Sequence, residues 1–117
     1  MRRAIQVACV ASVIVAMPGF AHHSFKAQYD ENQIITLSGT VTKVTWTNPH
    51  VLVYIDVKDG GTNVINWELE LASPNGLLSQ GWKVDSLKPG NQIAVSGNPA
   101  RDGSHVASAR KVTIIAR

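Results

Sequence analysis

Cysteine is almost absent from this sequence, and charged residues are scarce. One cysteine in 117 residues excludes a disulfide scaffold, and a charged fraction of 16% excludes a highly charged, disordered chain. No internal repeat is found, and a collagen-like chain is excluded. A hydrophobic fraction of 44% and this length fit one ordinary globular domain.

A long apolar run is also lacking. The longest largely apolar stretch covers residues 4–17, about 14 residues, whereas a helix that crosses a bilayer needs roughly 20. Arg2 and Arg3 precede it, and the sequence Pro-Gly-Phe-Ala follows it. A cationic start, an apolar centre and small residues before the cut are typical of a secretory signal peptide. Residues 1–21 are therefore predicted to be removed by cleavage after Ala21.

A signal peptide predicts export of the protein, and its removal changes the net charge of the mature chain. Of the 11 basic residues, 9 remain against 8 acidic ones, which gives a formal charge of +1. The basic charge of the whole chain is therefore no evidence for nucleic-acid binding. The mature protein is predicted to be periplasmic or secreted, monomeric and not an integral membrane protein. An uncleaved amino-terminal anchor or a buried helix is the alternative, and Cys9 lies too early for lipid attachment.

The remaining sequence has the pattern of five β-strands and one short helix. Gly39 interrupts the first strand and the apolar parity changes after it, which predicts a bulge or sharp bend between Gly39 and Lys43. Ser73 and Pro74 predict the start of the helix, and Gly81 predicts its end. The predicted strands are residues 33–46, 51–57, 64–71, 92–97 and 105–115.

Three strands, a short helix and two further strands follow the order of an OB-like barrel. We predict an all-β fold in which residues 33–117 form a five-stranded Greek-key barrel, with the helix between the third and fourth strands. Residues 22–32 are predicted to form an amino-terminal arm. A β-sandwich is the alternative, but it usually has about seven strands.

Ligands of OB barrels bind at two loops and on the outer face of the second and third strands. Here His50 lies in the loop between the first two strands and His105 ends the loop between the last two, so both are predicted at one rim. The candidate ligand-binding residues are Trp46, Asn48 and Tyr54. Trp46 also fits the core, and Asn48 also fits a turn.

The outer face of the second and third strands is predicted to be acidic. Asp56, Glu68 and Glu70 fall on it, with Tyr54 as the one aromatic residue. Because nucleic-acid binding needs cations along the phosphates and several aromatic residues, we expect no nucleic-acid partner. Glu68 and Glu70 are expected to be solvated rather than an acid–base pair. No catalytic motif is found, so we expect no enzyme activity.

The predicted cleavage makes His22 the first residue of the mature chain and His23 the second. The α-amine and imidazole of His22 form a chelate that suits Cu(II), which prefers tetragonal nitrogen ligands. In this one residue the terminus resembles the histidine brace of exported copper proteins. The predicted metal ligands are His22, His23, His50 and His105, with copper as the first candidate cofactor. The alternative is a mobile arm, with His50 hydrogen-bonded within its turn.

Several short motifs resemble a family of small exported bacterial proteins that is catalogued as a domain of unknown function. The resemblance implies export and a single β-rich domain, and it transfers no activity. It makes His22, His23, Trp46, Asn48 and His50 candidates for a site. The motifs include His-His-Ser-Phe at residues 22–25, Trp-Thr-Asn-Pro-His at 46–50, Ser-Pro-Asn at 73–75 and Leu-Lys-Pro-Gly at 87–90.

We therefore expect a non-enzymatic, exported β-barrel module that binds Cu(II) through its amino-terminal histidine. The alternative is an envelope accessory protein that binds another protein or a small ligand, such as a peptide, a saccharide or an apolar molecule, at the rim loops. Metal analysis of the exported protein distinguishes these two hypotheses.

Overall fold

Five strands and one helix make up the barrel in a computed structural model that describes residues 25–117. The strands close into a barrel in the order β1-β2-β3-β5-β4, as predicted, and α1 lies between β3 and β4. The predicted signal peptide, His22 and His23 lie outside the described residues. The elements are β1 (Ile35–Thr45), β2 (Leu52–Lys58), β3 (Val64–Glu70), α1 (Pro74–Ser79), β4 (Gln92–Pro99) and β5 (Val106–Ala116).

The first strand is shared by the two halves of the barrel. Its first half pairs with β4 and its second half with β2, and the register shifts between Val41 and Lys43. The bulge predicted between Gly39 and Lys43 is therefore confirmed. A Cβ atom at Gly39 would collide with the backbone carbonyl of Asp56, so the bend also requires a residue without a side chain at this position.

The core is formed by alternate residues of the strands, as their period of two predicts. Val53 and Ile55 on β2 are fully buried, and so is Leu69 on β3. The residues that alternate with them on β2, Tyr54 and Asp56, point outward and are partly exposed. The remaining buried hydrophobic residues of this core are Val41, Val51, Leu71, Leu77, Leu87, Ile93, Val95 and Ala107.

The short helix begins and ends at the predicted residues. Ser73 is its N-cap, and its hydroxyl accepts a hydrogen bond from the Gly76 amide at 3.1 Å. Gly81 follows the helix with a φ of +94°, a conformation that favours glycine. The buried side chain of Leu77 attaches the helix to the barrel core.

The amino-terminal segment is packed onto the barrel. Residues 25–28 are helical, and Tyr29, 1% exposed, forms a β-bridge with Ala100. The fully buried Asn98 amide donates to the carbonyl oxygens of Asp30 and Gln33, at 3.2 and 2.8 Å. The described part of the predicted arm is therefore fixed, because buried tyrosine and backbone hydrogen bonds hold it against β4.

No helix within residues 25–117 is both long enough and apolar enough to span a membrane.

Candidate functional site

One carboxylate at the end of β3 joins two distant parts of the chain. The Tyr29 hydroxyl donates to Oε2 of Glu70 at 3.1 Å, and Nδ1 of His50 lies 3.6 Å from Oε1. We call Tyr29, His50 and Glu70 the rim cluster. It connects the amino-terminal segment, the β1–β2 loop and the last residue of β3.

Backbone pairing of Val51 and Leu52, the two residues after His50, places His50 beside Glu70. Leu52 pairs with Glu70 across the β2–β3 ladder. The Val51 amide donates to the Ala72 carbonyl at 3.0 Å, and the Leu71 amide donates to the Val51 carbonyl at 2.9 Å. The loop that carries His50 is therefore held at the carboxyl end of β3.

Burial and charge within the rim cluster are uneven. Burial, the negative charge of Glu70, the hydrogen bond to it and the charge of Glu68 all raise the pKa of Tyr29. Tyr29 therefore remains a hydrogen-bond donor at neutral pH. The His50 side chain is 46% exposed and that of Glu70 is 23% exposed. His50 is thus the member of the cluster that an ion or ligand from solvent can reach.

The position of His50 beside Glu70 resembles that of metal-binding histidines, with Nδ1 at 3.6 Å from Oε1, a little longer than a hydrogen bond. In such sites one ring nitrogen faces a carboxylate, which orients the ring, and the other nitrogen binds the metal. Nδ1 of His50 faces Glu70, so Nε2 is the nitrogen left for a ligand. Within residues 25–117, no group of three His, Cys, Asp or Glu side chains is arranged to hold a metal ion.

A second carboxylate, two residues earlier on β3, also lies beside a tyrosine. Tyr54 pairs with Glu68 across the β2–β3 ladder. Burial, the charge of Glu68 and a hydrogen bond to it raise the pKa of Tyr54. Lys43 Nζ lies 5.6 Å from the centre of the Tyr54 ring. The expectation that these carboxylates are solvated is corrected for Glu70 alone, which accepts a hydrogen bond from Tyr29 and whose side chain is only 23% exposed.

His105 lies against the same strand as His50 but does not join the rim cluster. Its ring centre is 5.1 Å from that of Trp67, and its carbonyl accepts from the Glu68 amide at 3.0 Å. Trp67 and Glu70 point to opposite faces of β3 because side chains alternate along a strand. The two loops therefore meet at β3, as the topology predicted, while their histidines contact opposite faces.

The predicted ligand-binding residues occupy three different environments. Trp46 is partly buried and packs against the hydrophobic core, which is the alternative considered from the sequence. Asn48 is exposed in the β1–β2 loop, and its peptide bond to Pro49 is cis. Tyr54 lies on the outer face of β2. The structure does not bring these three side chains together into one site.

Sequence reasoning missed Tyr29, the residue that connects the rim cluster to the amino-terminal segment. Its signal is a pair of aromatic residues four positions apart in a polar stretch, Phe25 and Tyr29. At this spacing two side chains lie on one face of a helical turn. The centres of the two rings are 5.3 Å apart in the structure.

Comparison with known proteins identifies a family and a fold. A family of unknown function, DUF6152, matches residues 9–109. No curated protein matches the sequence. The mitochondrial single-stranded DNA binding protein Rim1 from S. cerevisiae is structurally similar, with a TM-score of 0.57 and 7% identity over 73% of this chain and 95% of that chain. A second crystal form gives a TM-score of 0.55 and 7% identity over 73% and 94%. This similarity supports the OB-like fold.

The expectation of no nucleic-acid partner is wrong in the light of these neighbours, which are single-stranded DNA-binding proteins of the same fold. That expectation considered the charge of one face only. The structure places Tyr29 and Tyr54 against the carboxylates of that face. Exposed cations lie on other parts of the barrel, at Arg101, Arg110 and Lys111. An acidic outer face of β2 and β3 therefore does not exclude a nucleic acid.

Proposed function

The chain belongs to the family of unknown function DUF6152, and we propose that it is an exported, non-enzymatic barrel module that binds Cu(II) at the rim cluster. In this proposal cleavage after Ala21 exposes His22, whose amine and imidazole bind the ion together with His50. The observation that carries the proposal is the hydrogen bond from Tyr29 to Glu70. It anchors the segment that follows His22 beside the carboxylate that orients His50.

Chain length supports the meeting of the two histidines. Phe25 packs on Tyr29, whose hydroxyl is bonded to Glu70. His22 is three residues before Phe25, and three residues span at most about 10 Å. A chain that starts at His22 would therefore carry its amine within about 10 Å of Phe25.

The chemistry of the donors favours copper. The amine and imidazole of His22 and the imidazole of His50 are three nitrogen ligands, the set that Cu(II) prefers. Oε1 of Glu70 lies 3.6 Å from Nδ1 of His50, which favours a ring orientation that leaves Nε2 for the ion. Tyr29 satisfies the other oxygen of Glu70, so this carboxylate supports the site without being a ligand of the ion.

Two experiments, made one after the other, test the signal peptide and then the metal site. The intact mass of protein recovered from the bacterial periplasm should correspond to a chain that starts at His22. Copper is then titrated into this protein and into a variant with one extra glycine before His22. We expect one Cu(II) per chain and an affinity more than about tenfold lower for the extended variant. Equal, weak binding by both proteins rejects the proposal.

A substitution in the barrel tests the second imidazole. His50→Gln should lower the Cu(II) affinity about tenfold, because one nitrogen ligand is lost. His105→Gln is the matched control, since the His105 ring packs on Trp67 outside the rim cluster. A larger loss with His105→Gln than with His50→Gln would assign the ion to the other face of β3.

Single-stranded nucleic acid is the second candidate ligand. The fold similarity to single-stranded DNA-binding proteins and the exposed cations Arg101, Arg110 and Lys111 favour it. A labelled oligothymidylate should then bind at low salt, and its affinity should fall steeply as the salt concentration rises. The double variant Arg110→Glu, Lys111→Glu should abolish this binding. No binding at low salt rejects this candidate and leaves the copper proposal unaffected.

A further inference from the structure

The last strand has one edge without a neighbouring strand over most of its length. β5 pairs with β3 only from Val106 to Ser108, because β3 then ends and the chain turns into α1. From Ala109 to Ala116 its paired neighbour is β4 alone. Among the described residues, no backbone hydrogen bond joins this edge to the connection between α1 and β4. Backbone donors and acceptors on this side of β5 are therefore available.

A groove with apolar side chains on both walls and polar ones between them follows this free edge. Its outer wall is formed by Leu77 of α1 and by Trp82, and Val112 and Ile114 of β5 line the other side. Two adjoining hollows of about 490 and 250 Å³ share Trp82 and Val112. A third hollow extends the groove to Arg117. The groove thus follows β5 from Ala109 onward for about 27 Å, the length of a strand of about eight residues.

The charge of the groove is positive at both ends. Arg110 lines the end near β3, where its guanidinium also donates to Oδ1 of Asn98 at 3.4 Å, and Lys88 and Arg117 line the other end. Asp85 is the acidic residue among the lining side chains. An occupant with carboxylates flanking apolar side chains complements this pattern.

We propose that the groove binds an extended acidic segment of another protein, which adds to the free edge of β5 as a further strand. Backbone hydrogen bonds to β5 supply the affinity, as in other cases of strand addition. Alternate apolar side chains of the segment enter the space beside Trp82. Its carboxylates face Arg110 at one end and Lys88 and Arg117 at the other.

Charge argues against two other occupants. Residues 1–24 of this chain contain no Asp or Glu, so they do not match the basic ends of the groove. In a second copy paired edge to edge in antiparallel fashion, the end with Arg110 and Lys111 in one copy would lie beside the end with Arg117 in the other. Like charges in directly opposite positions destabilise a strand pair. An acidic partner avoids both mismatches.

A designed peptide tests the proposal on the chain from His22 onward, which contains every described residue. The probe is a fluorescein-labelled octapeptide that alternates valine with glutamate, and the control peptide alternates valine with lysine. Fluorescence anisotropy should show binding of the acidic peptide only. Amide hydrogen exchange of residues 109–116 should slow at least about tenfold with the acidic peptide, because their free edge becomes hydrogen-bonded.

Charge reversal locates the binding site. The double variant Lys88→Glu, Arg117→Glu should weaken binding of the acidic peptide about tenfold, because two attractions become repulsions. Lys43→Glu is the matched control, since Lys43 is exposed on β1 and does not line the groove. Its effect should stay below about twofold.

Three results would overturn the proposal. One is equal binding of the two peptides, and another is unchanged exchange of residues 109–116 at millimolar acidic peptide. The third is a dimer in sedimentation experiments that persists in the presence of the peptide and protects the same residues, which would assign the edge to a second copy. The test is made with a chelator present. Because the groove shares no residue with the rim cluster, failure of the copper proposal leaves this one intact.

Discussion

The hydroxyl of Tyr29 and the carboxylate of Glu70 meet at 3.1 Å although 41 positions separate them in the sequence. Tyr29 is almost completely buried, and the carboxylate it contacts also faces His50. One hydrogen bond therefore links the docking of the amino-terminal segment to the geometry of an exposed histidine. Five predictions rest on this contact and on others in the barrel.

Tyr29→Phe removes this hydrogen bond and keeps the ring. We expect the free energy of unfolding in urea to fall by about 1 kcal/mol, the usual net contribution of such a bond. Tyr29→Ala also removes the buried ring and should cost about 3 kcal/mol. Tyr54→Phe is the comparison, because Tyr54 is only partly buried. A Tyr29→Phe variant as stable as the original would show that the ring alone docks the segment.

The ionisation of the two tyrosines gives a pH-dependent prediction. The pKa values of Tyr29 and Tyr54 are both raised above the ordinary 10.0, and these are the only tyrosines in the sequence. Phenolate absorbance of the folded protein should therefore appear at higher pH than that of the protein in denaturant. Titration at 295 nm in both states measures the difference. Coincident curves would contradict the buried position of Tyr29.

The same shift predicts how stability depends on alkaline pH. The folded state holds the Tyr29 proton more tightly than the unfolded state does, so its contribution is complete below pH 10. As the pH rises above 10, the unfolded state loses this proton first and the protein is destabilised. Urea midpoints between pH 8 and pH 11 should fall less in Tyr29→Phe than in the original protein.

Gly39→Ala tests the bend of the first strand. The new Cβ would collide with the backbone carbonyl of Asp56, so β1 and β2 have to separate locally. We expect a loss of roughly 1–3 kcal/mol in urea unfolding. Gly61→Ala is the control, because its Cβ would make only an ordinary 3.5 Å contact with Asp59. A larger loss at Gly61 than at Gly39 would argue against the close approach at the bulge.

Asn98→Ala should release the amino-terminal segment while the barrel persists. The substitution leaves the Gln33 carbonyl without the donor it now has, whereas the Asp30 carbonyl keeps the Gln33 amide as a donor. A buried acceptor without a partner costs about 1–3 kcal/mol. Trypsin should then cut after Lys26 faster than in the exposed-site control Asn75→Ala. Unchanged cleavage would mean that Tyr29 and the backbone hydrogen bonds to Pro99 and Arg101 hold the segment without Asn98.

Local patterns in the sequence were enough to predict the strands, the bulge and the helix ends. Each strand buries one face, so a period of two marks it, and the parity change after Gly39 marks the extra residue. Ser73 and Gly81 act on their immediate neighbours, and their roles are therefore visible in the sequence.

Contacts between distant residues were beyond the reach of these patterns. Tyr29 lies in a polar stretch that has no hydrophobic periodicity. Its contact with Glu70 depends on how the strands are staggered around the barrel, which the sequence pattern does not specify. The charge argument against nucleic acid failed because it considered one face of the barrel only. It also omitted the two tyrosines that lie beside the carboxylates of that face. The free edge of β5 depends on where β3 ends, which hydrophobic alternation alone does not specify.

The barrel is closed by three residue pairs between β3 and β5, whereas β4 and β5 pair along almost their whole length. This is the shortest strand pairing in the barrel, which we call the seam. Local unfolding should therefore separate β3 from β5 before any other pair of strands. The rim carboxylate lies on one side of the seam and the open groove on the other. A ligand at either site should slow the separation of β3 from β5. Binding at one site is therefore expected to affect the other site through this shared local opening.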